Sequence, residues 1–186
     1  MKKLLDILFS ATLLILLFFP MLLIAVMISL SSKGPIIFWS ERVGKNGKLF
    51  KMPKFRSMSI DTPQVATHLM DNPDEFVFPF GRFLRRTSLD ELPQLFSIFK
   101  GDMSFVGPRP ALFNQKDLIE LRNKNGLGDI IPGLTGWAQV NGRDELSISE
   151  KVSFEAEYMK KKSFWFDLKI LWMTFLKVVN RKGVSH

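Results

Sequence analysis

The sequence predicts an α+β, mostly helical fold. It should contain an N-terminal membrane helix broken by proline, a small globular domain with a short β-hairpin or sheet, and amphipathic interfacial helices. Residues 7–30 carry no charged side chain and contain Pro20 near their middle. Two short apolar runs flank the turn-forming residues 44–48. Apolar side chains also recur at helical spacing over residues 164–182, which predicts a C-terminal helix.

The apolar segment 7–30 has three interpretations. One straight helix would extend roughly 36 Å, at about 1.5 Å per residue, and could cross a hydrocarbon core of about 30 Å. A cleaved signal peptide is disfavoured because the apolar run is too long and no small-residue cleavage site follows it. A re-entrant helix is favoured by Pro20, which removes a backbone hydrogen bond and kinks the helix at a cost of about 3 kcal/mol.

Charges on both sides of the apolar segment also favour the re-entrant form. Lys2 and Lys3 precede the segment, and Lys33 and Arg42 follow it. The positive-inside rule retains both flanks in the cytoplasm, which a hairpin satisfies and a single crossing does not. We therefore expect a re-entrant helix with Pro20 as the membrane break, and a single span is the alternative.

The segment that follows the membrane helix is expected to form the globular domain. Its predicted elements are strands at 36–39 and 49–52 joined by a turn at 44–48, loop with short helix at 61–79, and helices at 89–100 and 111–124. The helix at 89–100 carries an apolar stripe and is expected to stop at Gly101.

The predicted C-terminal helix has an apolar stripe and a cationic face. Its tryptophans suit the headgroup level of a membrane, so we expect an interfacial position, with packing against the core as the alternative. We accordingly divide the chain into residues 1–33, 34–163 and 164–186, which should form one structural unit.

Composition narrows the chemistry that the chain can perform. It has 26 Lys and Arg against 18 Asp and Glu, a formal net charge of +8, which favours phospholipid headgroups, nucleic acid or phosphorylated substrates as partners. No cysteine is present, which excludes disulfides, thiolate metal sites and thiol nucleophiles. The two histidines, His68 and His186, argue against a histidine triad or a zinc cluster. The candidate nucleophiles and acid–base groups are therefore carboxylates.

Asp90 and Glu91 are the carboxylates that stand out. Ser88 and Glu91 have the spacing of a capping box, so one interpretation is that Glu91 only caps a helix. The functional interpretation uses the same helix N-terminus, which favours both an ionised carboxylate and a nearby phosphate. Arg82, Arg85 and Arg86 lie just upstream and could hold a diphosphate or lower a carboxylate pKa.

Four motifs occur in a fixed order along the chain. They are KFRSM (54–58), RRTSLDELPQL (85–95), KGDMSFVGPRP (100–110) and PGLTGWAQVNGR (132–143). In this order they resemble the bacterial sugar transferase family, the monotopic phosphoglycosyltransferases. The resemblance covers essentially the whole chain, including the proline-broken membrane helix.

The resemblance implies transfer of a sugar-1-phosphate from a UDP-sugar to undecaprenyl phosphate, with release of UMP and with Mg²⁺ as cofactor. Asp90 matches the family's nucleophilic aspartate, which forms a covalent phosphosugar intermediate and takes part in metal binding. Glu91 matches its essential partner at the metal. The basic residues that match phosphate-binding or nucleotide-sugar-binding positions are Lys54, Arg56, Arg85, Arg109 and Arg143.

The resemblance also implies a location and a pathway. It places the chain on the cytoplasmic face of the bacterial inner membrane as a monotopic protein bound to the phospholipid bilayer. The step would initiate capsule, O-antigen lipopolysaccharide, exopolysaccharide or glycoprotein glycan synthesis. Nucleic acid is not expected as a partner, and a homo-oligomer is left open.

The chain differs from its family in two respects. Related members often carry serine before the helix-breaking proline, where this chain has Phe19, so the re-entrant geometry depends more on Pro20 alone. The additional N-terminal membrane region of larger relatives is absent, which suggests the minimal, stand-alone form.

The donor sugar is indicated by two segments, and the mechanism and the function each have an alternative. Residues 61–71 and 109–115 look most like capsule-initiating members that use UDP-N-acetylfucosamine-type donors. Direct transfer without a covalent intermediate is an alternative mechanism. A non-catalytic, membrane-anchored basic module that binds anionic lipid or nucleic acid is an alternative function.

Overall fold

The computed structural model describes residues 2–62, 73–142 and 145–180, and the architecture below refers to those residues. The helices are α1 (Lys2–Leu16), α2 (Phe18–Ser31), α3 (Pro79–Thr87), α4 (Leu95–Lys100), α5 (Lys116–Lys124), α6 (Trp137–Val140), α7 (Ile148–Lys161) and α8 (Phe164–Asn180). The strands are β1 (Ile37–Val43), β2 (Leu49–Phe55), β3 (Ser104–Val106), β4 (Ala111–Leu112) and β5 (Gly133–Thr135). Short 3₁₀ segments cover Lys45–Gly47, Pro73–Phe76 and Leu89–Gln94. The predicted α+β, mostly helical class is confirmed.

The N-terminal apolar segment forms two helices that meet at a bend of 61°. Pro20 has no N–H to donate to the carbonyl of Leu16, which explains why α1 ends there. Neither helix alone is long and apolar enough to cross a membrane, whereas the bent pair is by length and composition. A helix broken near Pro20 is therefore confirmed, and its re-entrant course through a bilayer stays a prediction.

Arg56 fastens the exit from this helix pair. Its Nε donates to the Pro35 carbonyl over 2.6 Å, and its Nη2 donates to the Ser32 carbonyl over 2.8 Å. Its Nη1 donates to the Ser32 hydroxyl over 2.8 Å, and the residue is only 4% exposed. Its guanidinium is thus bound to carbonyls just beyond the end of α2. The assignment of Arg56 to phosphate binding stays a prediction, and these contacts argue against it.

The predicted hairpin is confirmed and is longer than expected. β1 and β2 are antiparallel with Phe38 opposite Lys54, and β4 adds on the other side of β1 to give the order β2-β1-β4. Because alternate residues of a strand point to opposite faces, Phe38, Ser40 and Arg42 share one face with Lys54. We call this the Lys54 face of the hairpin.

β3 and β5 form a separate parallel pair, with Ser104 opposite Gly133. The chain leaves both strands at the same end, so the loops after them are neighbours. The backbone that follows β3 also touches the start of β5, since a Cβ on Gly133 would lie 2.1 Å from the Gly107 nitrogen. A Cβ on Gly136 would lie equally close, 2.1 Å from the Gly107 carbonyl oxygen.

The segment around the carboxylates differs from the predicted helix over 89–100. α3 ends at Thr87, Ser88 has a left-handed φ of 56°, and Leu89–Gln94 is a 3₁₀ helix before α4 begins. Pro93 explains the difference, because it lacks the N–H that an α-helix would direct to the Leu89 carbonyl. The capping-box interpretation is also wrong, since the Ser88 side chain makes no capping hydrogen bond.

A capping box is found instead at the start of α7, where Ser147 and Glu150 exchange backbone and side-chain hydrogen bonds. The two remaining predicted segments are 111–124 and 61–79. The predicted helix over 111–124 is wrong in its first residues, which pair with β1 as β4. Of the predicted loop at 61–79, residues 63–72 lie outside the described residues.

α8 confirms the predicted C-terminal helix and uses two faces. Ile170 is completely buried in the main core, while Trp165 is 75% exposed and Trp172 is 60% exposed. The start of α8 is tied to α1, because Lys2 Nζ contacts Asp167 Oδ2 over 2.6 Å and the Tyr158 hydroxyl over 2.8 Å. The helix therefore packs on the core along one face and exposes aromatic rings along the other.

Candidate active site

Glu91 occupies the place where the 3₁₀ segment Leu89–Gln94 packs against β2. Its Oε1 accepts from Lys54 Nζ over 2.9 Å and from Arg109 Nη2 over 3.4 Å. The carboxylate is only 15% exposed. Strand β2 and the loop that carries Arg109 thus place two cations against one carboxylate. The four sequence motifs alone do not reveal this arrangement.

Asp90 has a different environment from its neighbour. Among the residues that the structure describes, its carboxylate accepts no hydrogen bond and forms no ion pair. Burial raises the pKa of Asp90 to about 6, although the nearby Lys54 charge acts in the opposite direction. The negative charge of Glu91 raises it further, and Arg85 and Arg109 lower it. Asp90 is thus a half-buried carboxylate in a cationic field, with its oxygens uncommitted.

Lys54 is positioned by the hairpin register and by Glu91. Burial lowers the pKa of Lys54, while the charges of Glu91 and Asp90 support its protonated form. Arg85 comes from the last turn of α3, is 9% exposed, and acts on Asp90 through its charge. Lys54, Arg85 and Arg109 thus surround the two carboxylates from three different parts of the chain.

Two further arginines hold the loop that carries Arg109. Arg122 Nη2 donates to the Arg109 carbonyl over 2.9 Å, and Arg42 Nη1 donates to the next carbonyl, that of Pro110, over 3.1 Å. Arg122 is neutralised by Glu155, whose Oε2 lies 2.8 Å from its Nε. The backbone around Arg109 is therefore fixed by side chains from α5 and β1.

Changing Glu155 to Gln is expected to lower the free energy of unfolding by about 3–5 kcal/mol, because it leaves a buried guanidinium without its carboxylate. The Arg122 and Glu155 side chains are 13% and 4% exposed. Thermal unfolding of the purified full chain measures the effect. Glu120→Gln is the matched control, since Glu120 is exposed on the neighbouring helix and should change stability by less than about 0.5 kcal/mol. Equal melting temperatures for the two variants would contradict the expectation.

Arg42 was missed as a site residue by sequence reasoning, which treated it only as a basic flank of the membrane segment. Its Nε donates to the Ser40 hydroxyl over 2.9 Å. Burial, reinforced by the charge of Arg109, lowers the pKa of Arg42 to about 10. The signal that identifies Arg42 is the strand alternation, which puts it on the Lys54 face of the hairpin.

The structure thus brings together Asp90, Glu91, Lys54, Arg85 and Arg109, whereas the guanidinium of Arg56 contacts Ser32 and Pro35. Arg143, assigned to the nucleotide-sugar, lies outside the described residues.

Few side chains of this site could bind a metal ion. Within residues 2–62, 73–142 and 145–180, no group of three or more acidic or histidine side chains could hold a metal ion. Mg²⁺ is commonly bound by one or two carboxylates together with substrate phosphates. Asp90, with its uncommitted oxygens, and Glu91 therefore fit a Mg²⁺ ion that arrives with a phosphorylated substrate.

Cations that converge on an uncommitted carboxylate suit chemistry on phosphate groups. The bent apolar helix pair and the exposed aromatic face of α8 are typical of helices that associate with a membrane. The fold and the site together therefore favour the class of membrane-associated proteins that act on phosphorylated substrates. Comparison with known sequences gives the family: residues 1–181 match the bacterial sugar transferase family, and the chain belongs to it. The resemblance seen in the motifs is thereby confirmed.

Individual relatives carry more specific names. The chain is 46% identical over 181 residues to the UDP-glucose:undecaprenyl-phosphate glucose-1-phosphate transferase of Escherichia coli K12, which covers 90% of this chain and 38% of that protein. It is 38% identical over 168 residues to the undecaprenyl-phosphate galactose phosphotransferase of Salmonella typhimurium, covering 81% and 34%. An uncharacterized sugar transferase of Bacillus subtilis, EpsL, is 39% identical over 154 residues, covering 82% and 74%. The chain therefore spans well under half the length of the first two relatives.

Proposed function

We propose that this protein transfers a sugar-1-phosphate from a UDP-sugar to undecaprenyl phosphate and releases UMP. The observation that carries the proposal is the Asp90 carboxylate, which makes no hydrogen bond or ion pair among the described residues. Asp90 lies beside Glu91, and Lys54 and Arg109 hold Glu91 in place. The names of the Escherichia coli and Salmonella relatives support undecaprenyl phosphate as the acceptor. Membership of a transferase family argues against the alternative of a non-catalytic binding module.

The proposed chemistry has two displacements at one phosphorus. In the first, an Asp90 carboxylate oxygen bonds to the phosphorus that carries the sugar, the bridging P–O bond breaks, and its electron pair leaves on UMP. In the second, an oxygen of undecaprenyl phosphate attacks the same phosphorus and releases the Asp90 carboxylate. A covalent intermediate lets one site serve a water-soluble donor and a lipid acceptor in turn.

The other site residues have supporting roles in this proposal. Phosphoryl transfer depends mainly on positioning and on neutralising charge, which Lys54, Arg85 and Arg109 would provide around the diphosphate. Mg²⁺ held by Asp90 and Glu91 with the substrate would neutralise further phosphate charge. Arg143 is proposed to contact the nucleotide-sugar, on its match to the family motif.

The donor sugar is a separate part of the proposal. We propose a UDP-N-acetylfucosamine-type donor and a role in initiating capsule or exopolysaccharide synthesis. The donor assignment rests on the likeness of residues 61–71 and 109–115 to capsule-initiating members. The Escherichia coli relative is named for UDP-glucose, so the sugar has to be decided by experiment.

UMP release from a panel of UDP-sugars, with undecaprenyl phosphate and Mg²⁺, tests both parts. We expect sustained release only when the lipid acceptor is present, with UDP-N-acetylfucosamine as the best donor. Equal turnover of UDP-glucose or UDP-galactose would contradict the donor assignment and leave the transferase function intact. Absence of UMP release from every donor, with a folded membrane-bound sample, would contradict the function.

The proposed membrane arrangement is monotopic, on the cytoplasmic face, with the globular part partly embedded in one leaflet. Because the chain has no cysteine, Lys3→Cys and Lys33→Cys each introduce a single thiol, at exposed residues on either side of the apolar segment. We expect an impermeant maleimide to label both thiols in inside-out vesicles and neither in intact spheroplasts. Labelling of the two residues from opposite sides would show a single membrane span.

A further inference from the structure

We infer that Arg42 is a second phosphate-binding residue of the site, acting with Arg109 on the diphosphate of the nucleotide-sugar donor. This inference rests on the proposed function and extends it to a residue outside the four motifs. Three observations support it: the position of Arg42 on the hairpin, its contact with the Arg109 loop, and the absence of a carboxylate partner among the described residues.

The hairpin places Arg42 on the same face as Lys54 of the candidate active site. Phe38 lies opposite Lys54, and Arg42 is four residues further along the same face of β1, roughly 13 Å away at about 3.3 Å per residue. Arg109 connects the two ends, because its guanidinium contacts Glu91 and the carbonyl that follows it in the chain accepts from Arg42. The cations Lys54, Arg109 and Arg42 therefore form a row across the Lys54 face.

A comparison with Arg122 distinguishes an arginine that only supports the Arg109 loop from one whose charge is available to an anion. Both arginines donate to consecutive carbonyls of the Arg109 loop, those of Arg109 and Pro110. Arg122 is neutralised by Glu155, as a mainly structural cation should be. Arg42 is bound only by neutral oxygens, of Ser40 and Pro110, and no carboxylate of the described residues lies within 4.0 Å of its nitrogens.

A partly buried cation without an ion-pair partner among the described residues needs a reason. Arg42 lies close enough to Arg109 for their charges to repel, and the charge of Glu91, which Lys54 and Arg109 already contact, has a smaller effect on Arg42 in the opposite direction. Glu91 does not form an ion pair with Arg42, since its described partners are Lys54 and Arg109. An anion placed between Arg42 and Arg109 would relieve the repulsion, and guanidinium groups bind phosphate oxygens with matching geometry.

Binding measurements on the full chain in nanodiscs test this role. The ligands are inorganic pyrophosphate, UDP, uridine and undecaprenyl phosphate, titrated against wild type and Arg42→Gln. We expect Arg42→Gln to weaken pyrophosphate and UDP binding at least about 10-fold, as loss of a charge-assisted contact implies, and to leave uridine binding unchanged. Arg42→Lys should give an intermediate loss, because it keeps the charge without the planar fork.

Lys51→Gln is the matched control. It removes one positive charge from the same hairpin, at an exposed residue opposite Glu41 on the other face. We expect its affinity for all four ligands to equal that of the wild type. A loss equal to that of Arg42→Gln would show a general charge effect and overturn the inference.

The remaining outcomes separate this inference from the proposed function. If Arg42→Gln lowers the melting temperature and keeps the pyrophosphate affinity, Arg42 only supports the loop and the inference is wrong. If it weakens only undecaprenyl phosphate, the assignment to the donor is wrong. Pyrophosphate binding that depends on Arg42, without turnover of any UDP-sugar, would support the anion site and contradict the transferase function. Wild type that binds neither pyrophosphate nor UDP would contradict both.

Discussion

Asp90→Asn is expected to lower UMP release at least about 10⁴-fold, because an amide cannot replace the proposed carboxylate nucleophile. The fold should persist, since the Asp90 carboxylate makes no hydrogen bond or ion pair among the described residues. Burial raises the pKa of Asp90 to about 6, so the carboxylate is still mostly ionised near pH 7, but its charge is less favourable in the folded than in the unfolded state and lowers stability. The melting temperature of Asp90→Asn should therefore equal or slightly exceed that of the wild type.

Glu91→Gln is the informative comparison for this variant. Its carboxylate is contacted by Lys54 and Arg109, so the substitution should lower both the melting temperature and the turnover. Asp90→Asn should lower only the turnover. Retention of more than about one hundredth of wild-type turnover by Asp90→Asn would contradict the role of a nucleophile.

The covalent intermediate can be sought directly. Wild type incubated with donor and without acceptor should show the mass of one sugar phosphate on a peptide that contains Asp90. Asp90→Asn should show none under the same conditions. Turnover without a trapped adduct on the wild type would favour direct transfer between donor and acceptor.

The features predicted correctly from the sequence are those set by local signals. Pro20 within a long apolar run determines where the N-terminal apolar segment bends, because it removes a backbone hydrogen bond from the helix. The turn residues 44–48 between two apolar runs specify the hairpin in the same way. The family could be recognised because its motifs occur in a fixed order along the chain.

The errors arose where two local rules compete. Ser88 and Glu91 have capping-box spacing, but Pro93 prevents a regular α-helix over that segment. The chain instead turns through a left-handed Ser88, with a 3₁₀ helix after it. In this geometry Glu91 accepts hydrogen bonds from Lys54 and Arg109 and caps no helix. The sequence pointed to the residues that meet here, but not to the contacts between them.

Arg56 and Arg42 show why the roles of basic residues need the tertiary structure. Arg56 belongs to a family motif, yet its guanidinium is bound to the Pro35 and Ser32 carbonyls. Arg42 belongs to none of the four motifs, yet strand register brings it to the loop of Arg109. Sequence patterns report charge and spacing along the chain, whereas both roles depend on contacts between segments distant in sequence.

Gly133→Ala is expected to lower the free energy of unfolding by about 4 kcal/mol or more and to reduce transferase turnover severely. A Cβ at this position would lie 2.1 Å from the Gly107 nitrogen and 2.6 Å from the Gly107 Cα, a contact that only backbone movement could relieve. The Gly133 N–H also donates to the Pro108 carbonyl over 2.8 Å. Separating these backbones would displace the residues immediately before Arg109, so stability and the position of that cation should be lost together.

Gly126→Ala is the matched control for this change. Gly126 has a positive φ of 69° and no heavy atom within 4 Å of a built Cβ, so alanine there should cost only about 1 kcal/mol of backbone strain. For a chain of this size we expect a fall in melting temperature of about 10 °C or more for Gly133→Ala and about 2–4 °C for Gly126→Ala. UMP release should stay near the wild-type value in the control, because the turn bonds to the backbone carbonyl of Arg122 and not to its guanidinium, and the added Cβ meets no heavy atom within 4 Å. Similar melting temperatures for the two variants would show that the β3–β5 contact can relax, and that the position of Arg109 does not depend on these glycines.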